Sequence, residues 1–286
     1  MINVIHILAE SPINVGEKWY WVDILAKKLY SNREIPFGFG CKLVAEFSCF
    51  VSNLIPINEE QLLLSNENNL AVLSLLDKKT SEIVCFEHQN NMRCNDGSVG
   101  PDGKYWFGTM EKSPSGLNGE LYSLNTKGEL VAQDAQIGIP NSFVWLDDKF
   151  VLISDSFLQQ TFKVELLASG MLDWPNREIW LDLSDTDSTP DGGALDAEGN
   201  VWLAIWGGAA VHKYSASGEL IDKIELAALQ PTSCAFGGES MDELLITTAT
   251  EGMREEQLGL YPDSGKVLLH KMNIKGKVLP VFELEV

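Results

Sequence analysis

The 286-residue sequence has few of the residues that build several common functional sites. It has four histidines, none followed by another at metal-ligand spacing, so a histidine-rich zinc site or a Ser-His-Asp triad has little material. Its five cysteines are an odd number and form no Cys-x-x-Cys pair. This pattern argues against a disulfide framework or a zinc ribbon, and we expect a protein of the reducing cytoplasm.

Positive charge and long apolar runs are also scarce. Lys and Arg number 21 against 41 Asp and Glu, which gives a net charge of −20. Nucleic acid is therefore not an expected partner, because phosphate binding needs clustered Lys and Arg. No apolar run approaches the ~18 residues of a membrane span, and the N-terminus lacks a basic start, so we predict no membrane segment and no secretory signal. With 45% hydrophobic residues the composition is that of a globular protein, and we predict one domain over residues 1–286.

Short apolar segments recur along the chain at nearly constant spacing. Their starts lie 42 to 51 residues apart, and they cover residues 19–24, 61–66, 104–110, 149–156, 200–206 and 243–249. A period near 45 with several short strands per repeat is typical of a propeller blade, so we predict an all-β, six-bladed β-propeller. A large β-sandwich is the alternative, but it would not explain the near-equal spacing. Residues 266–284 also have strand character, and we expect terminal segments to close the ring within one blade.

Polar residues occur at a matching position ahead of these segments. Four of them lie eight or nine residues before the second strand of a blade: Glu10, Asn95, Asn141 and Asp191. Equal register in separate blades predicts that they converge at the mouth of the central channel. Two carboxylates placed together out of water are unfavourable unless a cation compensates them, and oxygen donors suit Ca²⁺, Mg²⁺ or Mn²⁺. Turn formation is the alternative explanation for each Asn or Asp taken alone.

Eight short motifs follow one another in a characteristic order from the first blade to the last. They are Trp21-Val22-Asp23-Ile24, Arg93-Cys94-Asn95-Asp96-Gly97, Gly108-Thr109-Met110, Ile139-Pro140-Asn141, Asp155-Ser156, Pro190-Asp191-Gly192, Trp206-Gly207-Gly208 and Pro231-Thr232-Ser233. In this order they resemble the regucalcin/gluconolactonase family of six-bladed propellers, and the resemblance extends over most of the chain. Many members hydrolyse sugar lactones, and some are described mainly as calcium-binding proteins.

The resemblance implies one divalent metal ion at the channel mouth. Its ligands would be Glu10, Asn141 and Asp191, and Ca²⁺ is the ion we expect first, with Zn²⁺, Mg²⁺, Mn²⁺ or Fe²⁺ as alternatives. Arg93 and Asn95 match the residues that face substrate in the family. Two departures stand out, at Asn141 and at the end of the third motif. Ser142 follows Asn141 where the family favours Gly, and Glu111 follows Met110 directly, whereas some members carry a substrate-binding Glu a few residues later.

We therefore predict a metal-dependent lactonase, a carboxylic ester hydrolase that opens a small-molecule aldonolactone. In this hypothesis Asp191 is both a metal ligand and the catalytic general base, while Arg93, Asn95 and Glu111 bind the sugar. Two alternatives stay open from the sequence. One is a non-catalytic Ca²⁺-binding regulatory propeller, and the other is a related esterase or phosphotriesterase.

Overall fold

The computed structural model describes residues 4–32, 41–85 and 91–285, whose strands form six antiparallel sheets. The strands in chain order are β1 Ala9–Val15, β2 Lys18–Asp23, β3 Lys28–Asn32, β4 Lys42–Glu46, β5 Val51–Asn58, β6 Gln61–Asn66, β7 Asn69–Ser74, β8 Thr80–Cys85, β9 Met92–Val99, β10 Tyr105–Glu111, β11 Gly119–Leu124, β12 Leu130–Ile137, β13 Pro140–Trp145, β14 Phe150–Asp155, β15 Gln160–Glu165, β16 Glu178–Asp182, β17 Thr189–Leu195, β18 Val201–Trp206, β19 Ala210–Tyr214, β20 Leu220–Glu225, β21 Gln230–Gly237, β22 Glu243–Ala249 and β23 Leu268–Lys271. A turn of 3₁₀-helix, Trp174–Asn176, and the helix α1, Glu255–Leu260, complete the elements; no helix in the described ranges is long and apolar enough to cross a membrane.

The six sheets are the blades of a β-propeller, as predicted. Blades one to five are four-stranded, and blade six contains β21, β22 and β23 among the described residues. The first strand of every blade packs against the first strands of its two neighbours, and β21 of blade six returns to β1 of blade one. These six inner strands surround the central channel, so one end of each opens onto the channel mouth.

The second strand of each blade accounts for the six predicted apolar segments. β6 and β22 have the predicted bounds, and the other four differ by one residue at one or both ends. Each second strand lies between two strands of its own sheet and two neighbouring blades, so nearly all of its side chains are buried. That position explains the continuous apolar run, whereas the outermost strands, such as β20, are exposed and charged.

Among the described residues, the ring closes where the segment before β1 contacts blade six and where β1 packs against β21 and β22. Leu8 forms one antiparallel bridge to Ala249 of β22, and the amide of His6 donates to the carbonyl of Gly265 at 2.8 Å. Of residues 266–284, only β23 is a strand in the part of the chain described.

Residues 277–285 instead form a strap along the face opposite the mouth. The amide of Lys277 donates to the carbonyl of Leu195 in blade five at 2.9 Å, and the amide of Glu285 donates to that of Thr126 in blade three at 2.8 Å. Between these two points the strap buries Phe282 completely in the core between blades two and three.

Candidate active site

Each inner strand carries one extra residue near the channel mouth. Near the mouth, the pairing register with the second strand slips in every blade, within residues 10–13, 51–53, 94–97, 141–144, 190–193 and 231–233; blade two slips a second time within residues 56–58. A β-bulge of this kind re-aims side chains and is common beside functional sites. Six bulges at one height therefore form a ring of redirected side chains around the channel mouth.

The predicted metal ligands lie on three of these bulges. Glu10 and Asn141 are the last paired residues before the bulges of blades one and four, and Asp191 is the first residue inside the bulge of blade five. Asn141 and Asp191 are buried and Glu10 is half-buried. Asn95 occupies the same position in blade three as Asp191 does in blade five, and its Nδ2 donates to Asn141 Oδ1 at 2.9 Å. The structure thus brings together polar residues from separate blades, as their spacing predicted.

Glycines allow two of the bulges to form. A Cβ on Gly97 would lie 2.3 Å from the carbonyl oxygen of Trp106, and a Cβ on Gly192 would lie 2.2 Å from Ser233 Oγ of the next blade. The Gly of Asn95-Asp96-Gly97 and of Pro190-Asp191-Gly192 is therefore required by close approach rather than by turn formation.

Ser142 stands where the family favours glycine, and its backbone and hydrogen bonds show how a serine is accommodated there. Its φ of +77° lies in the left-handed region that favours glycine. Its hydroxyl contacts Ser154 Oγ at 2.8 Å and donates to the carbonyl oxygen of Asp191. These hydrogen bonds hold a strained backbone and tie blade four to blade five beside the candidate site.

Two buried aspartates fix the backbone that leads into Glu10 and into Asn141. Asp23 accepts from the amides three and two residues before Glu10, at 2.9 and 3.2 Å. Asp155 accepts from the amides three and two residues before Asn141, at 2.9 and 3.0 Å. Burial alone would raise the pKa of Asp23, but hydrogen bonds from His6 and from these amides outweigh it and lower that pKa. Both aspartates end a second strand, which is why the same clamp recurs in blades one and four.

Burial makes the ionised forms of the carboxyl groups at the mouth unfavourable when no cation is present. Burial, followed by the charge of Asp96, raises the pKa of Glu10 to about 8. Burial and the charges of Glu10 and Asp96 raise the pKa of Asp191 well above its ordinary value. Burial also raises the pKa of Asp96 to about 6, although the amides of Gly97 and Ser142 donate to its carboxylate. The site therefore concentrates negative charge that a cation would compensate.

Arg93 is the cationic side chain that the structure places beside this cluster. Burial lowers its pKa, and the charges of Glu251, Glu10 and Asp191 act in the opposite direction. Its Nη1 donates to Asn95 Oδ1 at 2.5 Å and to the carbonyl of Cys94 at 2.9 Å. Glu251, in the loop after β22, was not singled out from the sequence, because nothing in its local pattern marks it as facing the channel.

The carboxylate of Glu111 accepts hydrogen bonds from residues of the loop that follows it. Its Oε2 accepts from the amide and hydroxyl of Ser115, at 2.8 and 2.7 Å, and from Asn118 Nδ2 at 3.1 Å, while its Oε1 accepts from Asn91 Nδ2 at 3.2 Å. These bonds lower the pKa of this exposed carboxyl and organise the loop between β10 and β11. Its role in binding substrate stays a prediction.

The donor set fits a divalent cation, provided that an amide completes it. In the ranges that the structure describes, no three His, Cys, Asp or Glu side chains are placed to hold a metal ion. A centre here therefore needs the oxygen of Asn141 in addition to the carboxylates of Glu10 and Asp191. All three donors are oxygens, the ligand type that hard cations such as Ca²⁺ prefer.

Comparison with known protein families gives a match over most of the chain. The profile of the SMP-30/Gluconolactonase/LRE-like region matches residues 8–250, which include β1 to β22 and all three candidate ligands. The chain belongs to this family.

Relatives of the SMP-30/gluconolactonase family cover nearly the whole chain. An uncharacterized protein of Sulfolobus acidocaldarius is 30% identical over 272 residues, 94% of each chain. The 6-deoxy-6-sulfogluconolactonase of Pseudomonas putida is 28% identical over 289 residues, 96% of this chain and 95% of its own. The crystal structure of a calcium-binding protein, regucalcin, from Agrobacterium tumefaciens superposes with a TM-score of 0.90 at 26% identity, over 99% of this chain and 96% of its own.

Proposed function

We propose that the protein is a metal-dependent lactonase that hydrolyses a sugar lactone of the aldonolactone type. The observation that supports the proposal is the position of Glu10, Asn141 and Asp191 at the bulges of three blades, where the charges of Glu10 and Asp191 act on each other and the buried Arg93 lies nearby. The sugar-lactone substrate class is supported by the name of the P. putida relative, and the ion by the calcium-binding description of the A. tumefaciens neighbour.

In this proposal Glu10, Asn141 and Asp191 hold one divalent ion, with Ca²⁺ expected first. Such an ion supplies Lewis-acid polarisation of the lactone carbonyl and lowers the pKa of a bound water. Asp191 accepts the proton of the attacking water, because it is a carboxylate in the same buried cluster as the other proposed ligands.

Arg93 binds the substrate in the same proposal. A guanidinium has five donors and no acceptor, so it cannot ligate the ion but can donate to the oxygens of a sugar ring. In the described part of the chain, its side-chain hydrogen bonds all come from Nη1. Asn95 already donates to Asn141 and Pro140 and accepts from Arg93, so it orients both neighbours; its direct contact with substrate stays a prediction.

The test is acid release in a pH-stat, because opening a lactone produces a carboxylic acid. The panel contains several aldonolactones, a phenyl ester and a phosphotriester, each assayed with the full chain before chelation, after chelation and after Ca²⁺ is restored. We expect acid release from an aldonolactone that disappears with the chelator and returns with Ca²⁺. Tight Ca²⁺ binding without release from any substrate would favour the regulatory propeller, and release unaffected by chelation would contradict metal dependence.

A further inference from the structure

A chain of four hydrogen bonds runs through the candidate site across blades three, four and five. Arg93 Nη1 donates to Asn95 Oδ1 at 2.5 Å, and Asn95 Nδ2 donates to Asn141 Oδ1 at 2.9 Å. Asn141 Nδ2 then donates to Ser156 Oγ at 2.9 Å, and Ser156 Oγ donates to the carbonyl oxygen of Pro190 at 2.6 Å. Pro190 directly precedes Asp191, so the chain links two of the three candidate ligands.

The two ends of the chain allow only one direction of donation. A guanidinium only donates, so Asn95 presents its oxygen to Arg93 and its NH₂ group to Asn141. A carbonyl oxygen only accepts, so the single hydroxyl proton of Ser156 is directed to Pro190. The lone pairs of that hydroxyl are then left for the NH₂ group of Asn141. Both ends therefore impose the same orientation of the Asn141 amide.

We propose that Ser156 is a positioning residue that sets the orientation of the Asn141 amide and its spacing from Asp191. This inference rests on the proposed function, in which Asn141 supplies an oxygen to the cation. With the hydroxyl in place, the NH₂ group of Asn141 donates to Ser156 and the amide oxygen is left for Asn95 and the cation. A flipped amide would direct NH₂ at the cation and at the NH₂ group of Asn95, and both contacts are repulsive.

The location of Ser156 makes this role specific. It follows Asp155, whose carboxylate already holds the amides that precede Asn141, so the same turn controls both the backbone and the side chain of that ligand. In the same turn, Gln159 Nε2 donates at 2.8 Å to the carbonyls of Thr186 and Ser188, in the loop that leads to Asp191. The turn between β14 and β15 therefore positions ligands on two blades.

Ser98 provides a matched control. Its hydroxyl donates at 2.6 Å to the carbonyl of Phe143, which is also a hydrogen bond from one blade to a carbonyl of the next. Ser98→Ala and Ser156→Ala thus each remove one interblade hydroxyl, but only Ser156→Ala leaves the Asn141 amide without its acceptor. Ser156→Thr keeps the hydroxyl and tests rescue.

The experiment is calorimetric titration of the full-length variants with Ca²⁺ alone, together with thermal unfolding in its absence. Outer-shell partners of metal ligands typically contribute about 10- to 100-fold in affinity. We expect that loss for Ser156→Ala, wild-type affinity for Ser98→Ala and substantial recovery for Ser156→Thr, with both alanine variants folded. At saturating Ca²⁺, KM and kcat of Ser156→Ala should move towards the wild-type values.

Three results would overturn the inference. Ser156→Ala could bind Ca²⁺ like the wild type, or it could lose no more affinity than Ser98→Ala. If the wild-type protein itself bound no Ca²⁺, Mg²⁺, Mn²⁺, Zn²⁺ or Fe²⁺, the metal site of the proposed function would fail, and the positioning role would fail with it. A normal wild-type affinity with an unaffected Ser156→Ala contradicts the positioning role alone.

Discussion

Binding of a divalent ion at the channel mouth should release protons. The free protein favours neutral carboxyl groups there, because burial and mutual repulsion raise the pKa values of Glu10 and Asp191. A cation binds only their ionised forms, so it competes with protons. Since both pKa values are raised, the competition is strongest at low pH, and affinity should increase with pH until it passes the pKa values of the free carboxyl groups.

The size of the effect follows from the pKa of Glu10, which is about 8. That value leaves about 0.9 of the Glu10 carboxyl protonated at pH 7 and about 0.1 at pH 9, so Glu10 alone should make Ca²⁺ binding roughly tenfold weaker at pH 7 than at pH 9. At pH 7 we therefore expect release of about 0.9 proton per ion from Glu10, with a further contribution from Asp191 in the same direction.

The assay is calorimetric titration at pH 7 and pH 9, in buffers that differ in their enthalpy of ionisation. The slope of observed enthalpy against buffer enthalpy gives the number of protons released. Glu10→Gln is the control, because it removes one titrating group and should reduce the release at pH 7 by about one proton. Equal affinities at the two pH values, with an enthalpy that does not depend on the buffer, would refute the reasoning.

Three further predictions concern single side chains. Asp191→Asn keeps one ligating oxygen but loses the basic carboxylate, so at saturating cation it should still bind the ion and lose at least ~10²-fold in kcat; wild-type turnover would leave Asp191 as a ligand only. Arg93→Ala should raise KM for the lactone when KM is measured at saturating cation, where added ion offsets any loss of metal affinity caused by the released Asn95 amide; a wild-type KM under that condition would remove Arg93 from substrate binding. Phe282→Ala should lower the free energy of unfolding in urea by about 3–5 kcal/mol, because the ring is fully buried, whereas the exposed Val281→Ala should have little effect.

The blades were predictable because burial on both faces dictates continuous apolar second strands such as β6 and β22. The common height of Glu10, Asn141 and Asp191 was predictable because each inner strand joins its second strand through a short turn, which keeps the offset constant. Their role as metal ligands stays a prediction. The bulges were not predictable, since an extra residue in one strand is defined only by its pairing with another.

Other parts of the site depend on contacts that sequence order does not show. Ser156 lies 15 residues from Asn141 and 34 from Pro190, and its short motif Asp155-Ser156 indicates a turn rather than a bridge between blades. Asp96 lies in the tripeptide Asn95-Asp96-Gly97, a sequence that is common in turns. In the structure, however, its carboxylate accepts a hydrogen bond from the amide of Ser142 in the next blade. Long-range partners of this kind appear only once the ring has closed.

The strap of residues 277–285 should affect how cooperatively the propeller unfolds. In proteins built from repeats, each unit contacts only its neighbours, and unfolding can begin at one unit and spread. Here the strap leaves blade six, contacts blade five through Lys277 and reaches blade three through Glu285, while Phe282 fills the core beside blade two. Blades that are not neighbours are thereby coupled, and breaking the contacts between blades six and one does not by itself release the last blade. The propeller should therefore unfold in one transition, with the strap and the ring lost together.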